Sequence, residues 1–238
     1  MVQTLVVPDP LTDLARLEGV PSGLAAARAA VDLVLTDRGL RAMTGDQVAS
    51  ALLAGARASA RLTEDPARWA AGAIRLSTEV PALAGVLRVA PAQALARAHT
   101  LAAYGEVTDD RLGRPRDGVE IASRMGGLAE LLTGRIESPA LVLAAIAHAE
   151  IATVAPFGSA DGLVARAVER MVLISSGFDP RGVIVTELGH LRRRDDYDAL
   201  LSGYASGTVA GVRAWILHVA QAAVDGAEAS PVVGGVSS

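Results

Sequence analysis

The residues of greatest chemical interest lie between positions 144 and 177, where two apolar segments flank a short loop of small residues. The loop contains Pro156 and Phe157, and the second segment begins at Gly162. A glycine-containing turn that leads into a helix presents free backbone N–H groups and the positive end of the helix dipole. The sequence therefore predicts an anion site at Gly162, with Arg166 one helical turn farther on as a second contact.

Three residue types are missing from the chain, namely Lys, Cys and Asn, and all 22 basic residues are Arg. Without Lys there is no phosphate-binding lysine of the P-loop type and no Schiff base. Without Cys there is no thiol nucleophile, no disulfide and no cysteine-based zinc site. Because Arg in place of Lys and abundant Ala, Gly and Val indicate GC-rich codon usage, each absence alone says little about function.

The overall charge is modest, at −4 with an isoelectric point near 5.6, so we expect no nucleic-acid partner. No run of 18 or more residues is free of charges and turn formers, and residues 1–5 lack the basic and apolar parts of a secretion signal. The sequence thus predicts a cytoplasmic protein that makes no membrane contact.

Helical periodicity dominates the chain and predicts an all-α fold. Thr44 and Asp65-Pro66 have the residue types that begin helices, and Pro81 and Pro91 are expected to interrupt one helix and start the next. A polar stretch at 106–118 predicts an exposed loop or hairpin, and 182–186 predicts a short strand. The predicted helices are 22–35, 44–62, one from 66, 91–104, 120–132, 139–154, 162–176, 194–204 and 209–224.

The chain is long enough for one domain with a small extension. We predict an N-terminal helical extension at 1–80, a helical core at 81–228 and a disordered tail at 229–238. Half of the residues are hydrophobic but only 3% are aromatic, so close packing of Ala-rich helices must fill the core. The same hydrophobic fraction favours contacts between copies in a homo-oligomer.

Residues 155–166 resemble the signature of the Fic (Fido) family, which reads His-Pro-Phe-x-Asp/Glu-Gly-Asn-Gly-Arg-x-x-Arg, and they align with it without a gap. Pro156 and Phe157 match its Pro-Phe, Gly162 matches its second Gly, and Arg166 matches its last Arg. The resemblance implies an all-α, Fic-like bundle of about eight to ten helices with a short β-hairpin flap near 108–120.

The resemblance extends over about two thirds of the chain. His148 lies where family members often carry a His on the preceding helix, and 95–99 resembles the family's Leu-x-x-x-His helix. The Asp196-Tyr197 and Trp215-Ile216 pairs resemble its C-terminal helices. The segment 112–116 resembles the loop that leads into the flap, which implies flap positions at Gly113, Arg114 and Arg116.

Five functional positions of the signature differ in this chain. In the family, the motif His takes a proton from a protein hydroxyl, which then attacks the α-phosphate of a nucleoside triphosphate. Here that position is Ala155, the acid that holds Mg²⁺ is Ser159, the first Gly is Ala160, the Asn is Asp161 and the first Arg is Leu163. Loss of a general base alone costs about 10²–10⁴-fold in rate. We expect no cofactor or metal, with ATP and Mg²⁺ relevant only if activity is retained.

A second family feature is also altered. Many Fic proteins are inhibited by a Ser/Thr-x-x-x-Glu-Gly/Asn helix whose Glu pairs with the clamp Arg of the signature. Ser59 starts a similar stretch, but Thr63 stands at the Glu position and Glu64 follows one residue late. Glu18 is a competing candidate, although Leu14 stands where Ser or Thr is needed. With Leu163 in place of the clamp Arg, both halves of the inhibitory contact are changed.

Each of these residues also has a purely structural interpretation. Pro156 and Phe157 fit core packing, Arg166 fits a buried ion pair, and 110–116 fits a solvated loop. His148 lies about 10 Å along the helix from Ala155, so it fits a core residue better than a replacement base. His99 also fits the core, whereas His190 and His218 are expected in a loop and on the surface.

Three functions follow as hypotheses. The first is a Fic-like protein that is inactive in AMP transfer and acts through protein contacts or weak ligand binding. The second is an active nucleotidyltransferase that modifies protein hydroxyls with a base from water, His148 or a partner. The third is a helical partner that regulates or supports another protein, or that associates with itself. In each case we expect a protein partner, whose identity the sequence does not reveal.

Overall fold

The computed structural model describes residues 9–37, 44–231 and 233, and within these residues the fold is entirely α-helical. The all-α prediction is confirmed, with eleven α-helices in the described part of the chain. They are α1 (Thr12–Ala15), α2 (Val20–Thr36), α3 (Gly45–Arg61), α4 (Pro66–Leu87), α5 (Pro91–Ala103), α6 (Val119–Thr133), α7 (Ala140–Val154), α8 (Asp161–Ser175), α9 (Thr186–Arg192), α10 (Arg194–Ala205) and α11 (Val209–Glu228).

Local side-chain caps explain where several helices begin. Thr44 caps α3 in a reciprocal box with Gln47, and the Asp65 carboxylate accepts the Arg68 N–H at the start of α4. Pro66 occupies the first turn of α4, where its missing N–H costs no helical hydrogen bond. The predicted starts at Thr44 and Asp65 are therefore confirmed.

Helices α7 and α8 form the centre of the molecule. Almost every side chain of both is buried, so α7 has no polar face of the kind that surface helices carry. Its many Ala residues let neighbouring helices approach closely: α8 packs along one side, and α11 contacts another. Trp215 of α11 is completely buried and donates its indole N–H to the Ala145 carbonyl at 2.8 Å. The helix–loop–helix unit at 140–175 is thus held rigidly from both sides.

Three local predictions are wrong. Pro81 lies inside α4, because the buried residues that flank it, Val80 and Leu83, hold the helix in the core across the proline. No strand forms at 182–186 in the described chain. There the carboxylate of Asp179 accepts the N–H groups of Val183 and Ile184, which a strand would need for pairing.

The third wrong prediction is the hairpin flap. Within the described residues, the segment between α5 and α6 contains a 3-10 turn at Asp109–Arg111 and no strand. The Arg116 N–H bonds to the Pro156 carbonyl at 2.7 Å, so the end of this segment is attached to the signature loop. None of the helices in the described ranges is both long and apolar enough to cross a membrane.

Candidate functional site

The signature-like loop joins α7 to α8 through two residues in the left-handed conformation. Ala155 ends α7 with φ of 47°, and Ala160 precedes α8 with φ of 54°. An L-residue with a side chain pays about 1–2 kcal/mol for this conformation, which favours Gly. Pro156 and Phe157 are buried beneath the loop and anchor it.

The loop forms one wall of a cleft of about 480 Å³ between α3, α8 and α10. A second hollow of about 680 Å³ adjoins it and shares Glu64, Trp69 and Ser159 with it. The structure thus brings most of the candidate residues together. Those that line the cleft are Thr63, Glu64, Ala155, Ser159, Ala160, Asp161, Gly162, Leu163 and Arg166, whereas Gly113 and Arg114 lie outside it.

The side chain of Asp161 occupies the inner face of the loop. Its carboxylate accepts the Phe157 N–H at 2.9 Å, and the N–H groups of Gly158 and Ser159 also interact with it. The expected role of Asp161 as a cap of α8 is wrong, because Ala160 holds the cap position and Asp161 bonds backwards instead. Burial raises the pKa of Asp161 to about 6, although these N–H groups and Arg116 favour the charged form.

Asp161→Asn should stabilise the protein at neutral pH. The unfolded Asp ionises near 3.8 and the folded one near 6, so the folded state binds more protons between these values and loses stability as pH rises through them. Asn keeps an acceptor for the Phe157 N–H without this cost. We expect a gain of about 1–3 kcal/mol at pH 7. Urea unfolding at pH 7 and pH 4 checks this, and an advantage that does not shrink at pH 4 would contradict it.

Arg166 is buried, and its donors point away from the cleft. Its Nε bonds to Ser59 Oγ at 2.8 Å, one Nη bonds to the Ser59 carbonyl at 2.9 Å, and the other bonds to the Tyr197 hydroxyl at 3.1 Å. The inhibitory-like stretch therefore contacts the signature through Ser59. Thr63 bonds to the Ala60 carbonyl of its own helix, and Glu64 is exposed without a partner among the described residues.

His99 ties the signature loop to the segment before α6. Its Nδ1 accepts the Gly113 N–H at 3.0 Å, so its Nε2 carries the proton and donates it to Ser159 Oγ, also at 3.0 Å. The ring stacks on Phe157 at 4.2 Å. Burial lowers the pKa of His99 to about 4, so the ring is neutral at pH 7. In this tautomer His99 cannot accept the Ser159 proton, and the pair is not a nucleophile with its base.

Arg116 caps the carboxyl end of α7. Its guanidinium donates to the Ala155 carbonyl at 2.7 and 3.1 Å and to the Val154 carbonyl at 3.2 Å. These carbonyls have no partner within the helix, and a cation at this end also interacts favourably with the helix dipole. Arg116 thereby fixes the turn at Ala155.

Arg116→Met should lower the free energy of unfolding by about 1–2 kcal/mol, because the freed α7 carbonyls lose charged donors. Arg114→Met is the matched control, since Arg114 is exposed and its side chain makes no hydrogen bond in the described structure. We expect the control to change stability by less than about 0.5 kcal/mol. Chemical denaturation of both variants is the measurement, and equal losses would refute the capping role.

A buried polar cluster lies behind the cleft, built from α7, α8, α9, α10 and α11. His148 Nδ1 lies 2.5 Å from Glu169, and His190 Nε2 lies 2.9 Å from the same carboxylate. His190 and His218 are buried rather than in a loop and on the surface, so that prediction is wrong. The signal that could have revealed the cluster is the presence of Arg166, Glu169 and Arg170 within the apolar helix α8.

The hydrogen bonds assign the protons of this cluster. Glu169 accepts from both His148 and His190, while His148 Nε2 accepts from the Tyr197 hydroxyl at 2.6 Å. His190 Nδ1 accepts from His218 Nε2 at 3.0 Å. Burial lowers the pKa of His148 to about 4 and that of His218 to about 3. Burial also opposes ionisation of Glu169, but the two neighbouring histidines outweigh it and lower its pKa.

Comparison with known proteins identifies the fold. Neither protein-family models nor curated protein sequences match the chain significantly. Among solved structures, the chain is similar to a Fic family protein from Desulfovibrio desulfuricans G20, with a TM-score of 0.64 and 16% identity. The match covers 85% of this chain and 73% of the other. The chain therefore has the fold of a Fic family protein, as the resemblance implied.

Proposed function

We propose that this protein is a Fic-fold binding protein that does not transfer nucleotides. The observation that carries the proposal is the position of Asp161, whose carboxylate takes the loop N–H groups at Phe157, Gly158 and Ser159. Such N–H groups bind phosphate oxygens when they are free. A fixed carboxylate among them fills this site with negative charge and repels a triphosphate.

The cleft also lacks a group that could accept the proton of an attacking hydroxyl. Ala155 offers only a methyl group. His148 is fully buried, and both of its ring nitrogens are occupied, with the Tyr197 hydroxyl between it and the cleft. His99 presents a protonated nitrogen to Ser159. These contacts argue against the alternative of an active transferase with a replacement base.

The groups that would bind Mg²⁺ and phosphate are unsuitable as well. The Ser159 hydroxyl is already bonded to His99, and a hydroxyl is a weak magnesium ligand compared with a carboxylate. Leu163 provides no charge where a cation would be needed. The donors of Arg166 are directed to Ser59 and Tyr197. No residue of the loop is thus left to compensate a triphosphate.

The remaining surface of the cleft suits a protein segment. Leu62, Trp69 and Leu201 supply apolar contact area, and Glu64 and Asp198 at its edge make no ion pair with any described residue. Apolar area beside unpaired carboxylates is complementary to a peptide that carries both apolar and basic side chains. The function that the geometry supports best is therefore binding of a partner protein through this cleft.

Isothermal titration calorimetry of the unmodified protein with ATP and Mg²⁺ tests the proposal directly. We expect no binding up to millimolar nucleotide, and no label transferred from α-labelled ATP to any protein. A micromolar dissociation constant, or labelled product that requires this protein, would overturn it.

The choice of partner is tested with a peptide array in which apolar–basic sequences are paired with versions that carry Glu in place of each basic residue. We expect selective binding of the basic peptides, weakened about tenfold or more by the double substitution Glu64→Gln and Asp198→Asn. Equal binding of both peptide sets would argue against the cleft as the docking site.

A further inference from the structure

The buried cluster contains three metal-binding side chains from three different helices. The ligand atoms of His148 on α7, Glu169 on α8 and His190 on α9 all lie within 4.8 Å of one another, and all three residues are buried. We propose that His148, Glu169 and His190 bind one divalent transition-metal ion, for which zinc is the best match. This site is separate from the nucleotide chemistry considered above and does not depend on the proposed function.

The donor set selects the class of ion. Two imidazole nitrogens with one carboxylate suit zinc and other first-row transition metals, whereas magnesium and calcium require mainly oxygen ligands. His190 Nε2 lies 2.9 and 3.2 Å from the two carboxylate oxygens, so both oxygens face the same point. With Glu169 bidentate, the cluster offers four donor atoms, which is the usual coordination number of zinc.

The second nitrogen of each candidate ligand already has an oriented partner. His148 Nε2 faces the Tyr197 hydroxyl at 2.6 Å, and His190 Nδ1 faces His218 Nε2 at 3.0 Å. Metal-binding histidines almost always have such a partner, because it fixes the ring orientation and the tautomer. Trp215 packs against the rings of His148 and His190 and limits their movement further.

Metal binding needs free lone pairs on His148 Nδ1 and His190 Nε2, and changes of tautomer supply them. The His148 proton moves to Nε2, facing Tyr197, and the His190 proton moves to Nδ1, facing His218. His218 in turn carries its proton on Nδ1. Tyr197 lines the cleft, so its hydroxyl proton can turn toward that solvent. Each histidine stays neutral and Glu169 stays ionised, so no proton must leave the protein.

The cluster must widen slightly to admit an ion. The nitrogen–oxygen distances of 2.5 to 3.2 Å are those of hydrogen bonds. Zinc bonds of about 2.0–2.2 Å in a tetrahedral arrangement place neighbouring donors about 3.3–3.5 Å apart. Shifts of less than about 1 Å, spread over three side chains, provide this space without moving the helices apart.

The experiment uses the full chain, first stripped of metal with EDTA and then titrated with Co²⁺ and Zn²⁺. We expect one equivalent of Co²⁺ to give the visible d–d absorption of a four-coordinate ion and one equivalent of Zn²⁺ to remove it. Zn²⁺ should also raise the melting temperature. Absence of the cobalt spectrum, together with no metal retained by the untreated protein, would overturn the proposal.

Glu169→Gln and His218→Gln are expected to weaken Zn²⁺ binding about 10–100-fold or more. His99→Gln is the matched control, since it removes a buried histidine outside the cluster and should leave metal affinity unchanged. Undiminished Zn²⁺ affinity in Glu169→Gln would refute the site. If that variant fails to fold, X-ray absorption of the zinc-loaded wild type decides, because two nitrogen ligands of imidazole type are required.

Discussion

A variant with five replacements in the signature loop should bind ATP in the presence of Mg²⁺, whereas the natural protein should not. The replacements are Ala155→His, Ser159→Asp, Ala160→Gly, Asp161→Asn and Leu163→Arg. Together they free the loop N–H groups, add a carboxylate for the metal and add a cation for the phosphates. We expect affinity to rise at least about 100-fold, which at saturating nucleotide stabilises the fold by about 2.7 kcal/mol.

The backbone is already suited to these replacements. Ala160 has φ of 54°, so Gly relieves about 1 kcal/mol of strain there. Leu163 lines the cleft, so a longer Arg side chain can extend into that space. The helices on either side need no movement, because α7 and α8 are packed over almost their whole surface.

The matched control keeps Asp161 and carries the other four replacements. Since the carboxylate would still occupy the N–H groups at Phe157, Gly158 and Ser159, we expect little or no ATP binding by this variant. A nucleotide-panel thermal-shift assay followed by calorimetry measures both proteins. Equal affinity with and without Asp161 would show that this carboxylate is not what excludes nucleotide.

The sequence was sufficient to predict features that depend on neighbouring residues. The cap at Thr44, the proline at the start of α4 and the helix–loop–helix unit around residue 157 are all determined within a few positions. The same local reasoning failed at Pro81. A proline costs about 3 kcal/mol inside a helix, but the burial of the residues around it is a tertiary effect that no local pattern contains.

Contacts between distant residues were not predictable in the same way. The alignment with the Fic signature placed Asp161 at an Asn position, but not the turn of its side chain back to Phe157. His190 and His218 have polar neighbours along the chain, which favours a surface position. Their burial follows from the crossing of α9 and α11, where each histidine finds a partner only after the fold has formed.

Gly189→Ala is expected to destabilise the protein by more than about 3 kcal/mol, because it acts at this crossing. A Cβ at Gly189 would lie 2.0 Å from the Ala222 carbonyl oxygen, which is backbone and cannot rotate away. Helices α9 and α11 would have to separate by more than 1 Å. That movement would break the 3.0 Å contact between His190 and His218.

Gly126→Ala is the control for the general effect of adding a methyl group to a helix. Gly126 is exposed in the interior of α6, and its Cβ would have no atom within 4 Å. We therefore expect this control to stabilise the protein by up to about 1 kcal/mol, the ordinary difference in helix propensity. Thermal and urea unfolding of both variants gives opposite signs if the crossing is as close as described.

The fluorescence of Trp215 separates loss of the crossing from a general loss of stability. Its ring stacks on His218 with centroids 5.2 Å apart and lies parallel to His190 at 6.2 Å, so it senses the spacing of α9 and α11 directly. In a Trp69→Phe background, Gly189→Ala should alter the emission of the folded protein before any unfolding occurs. An unchanged spectrum with unchanged stability would mean that the two helices do not meet at Gly189, and the geometry inferred for His190 would then fail with it.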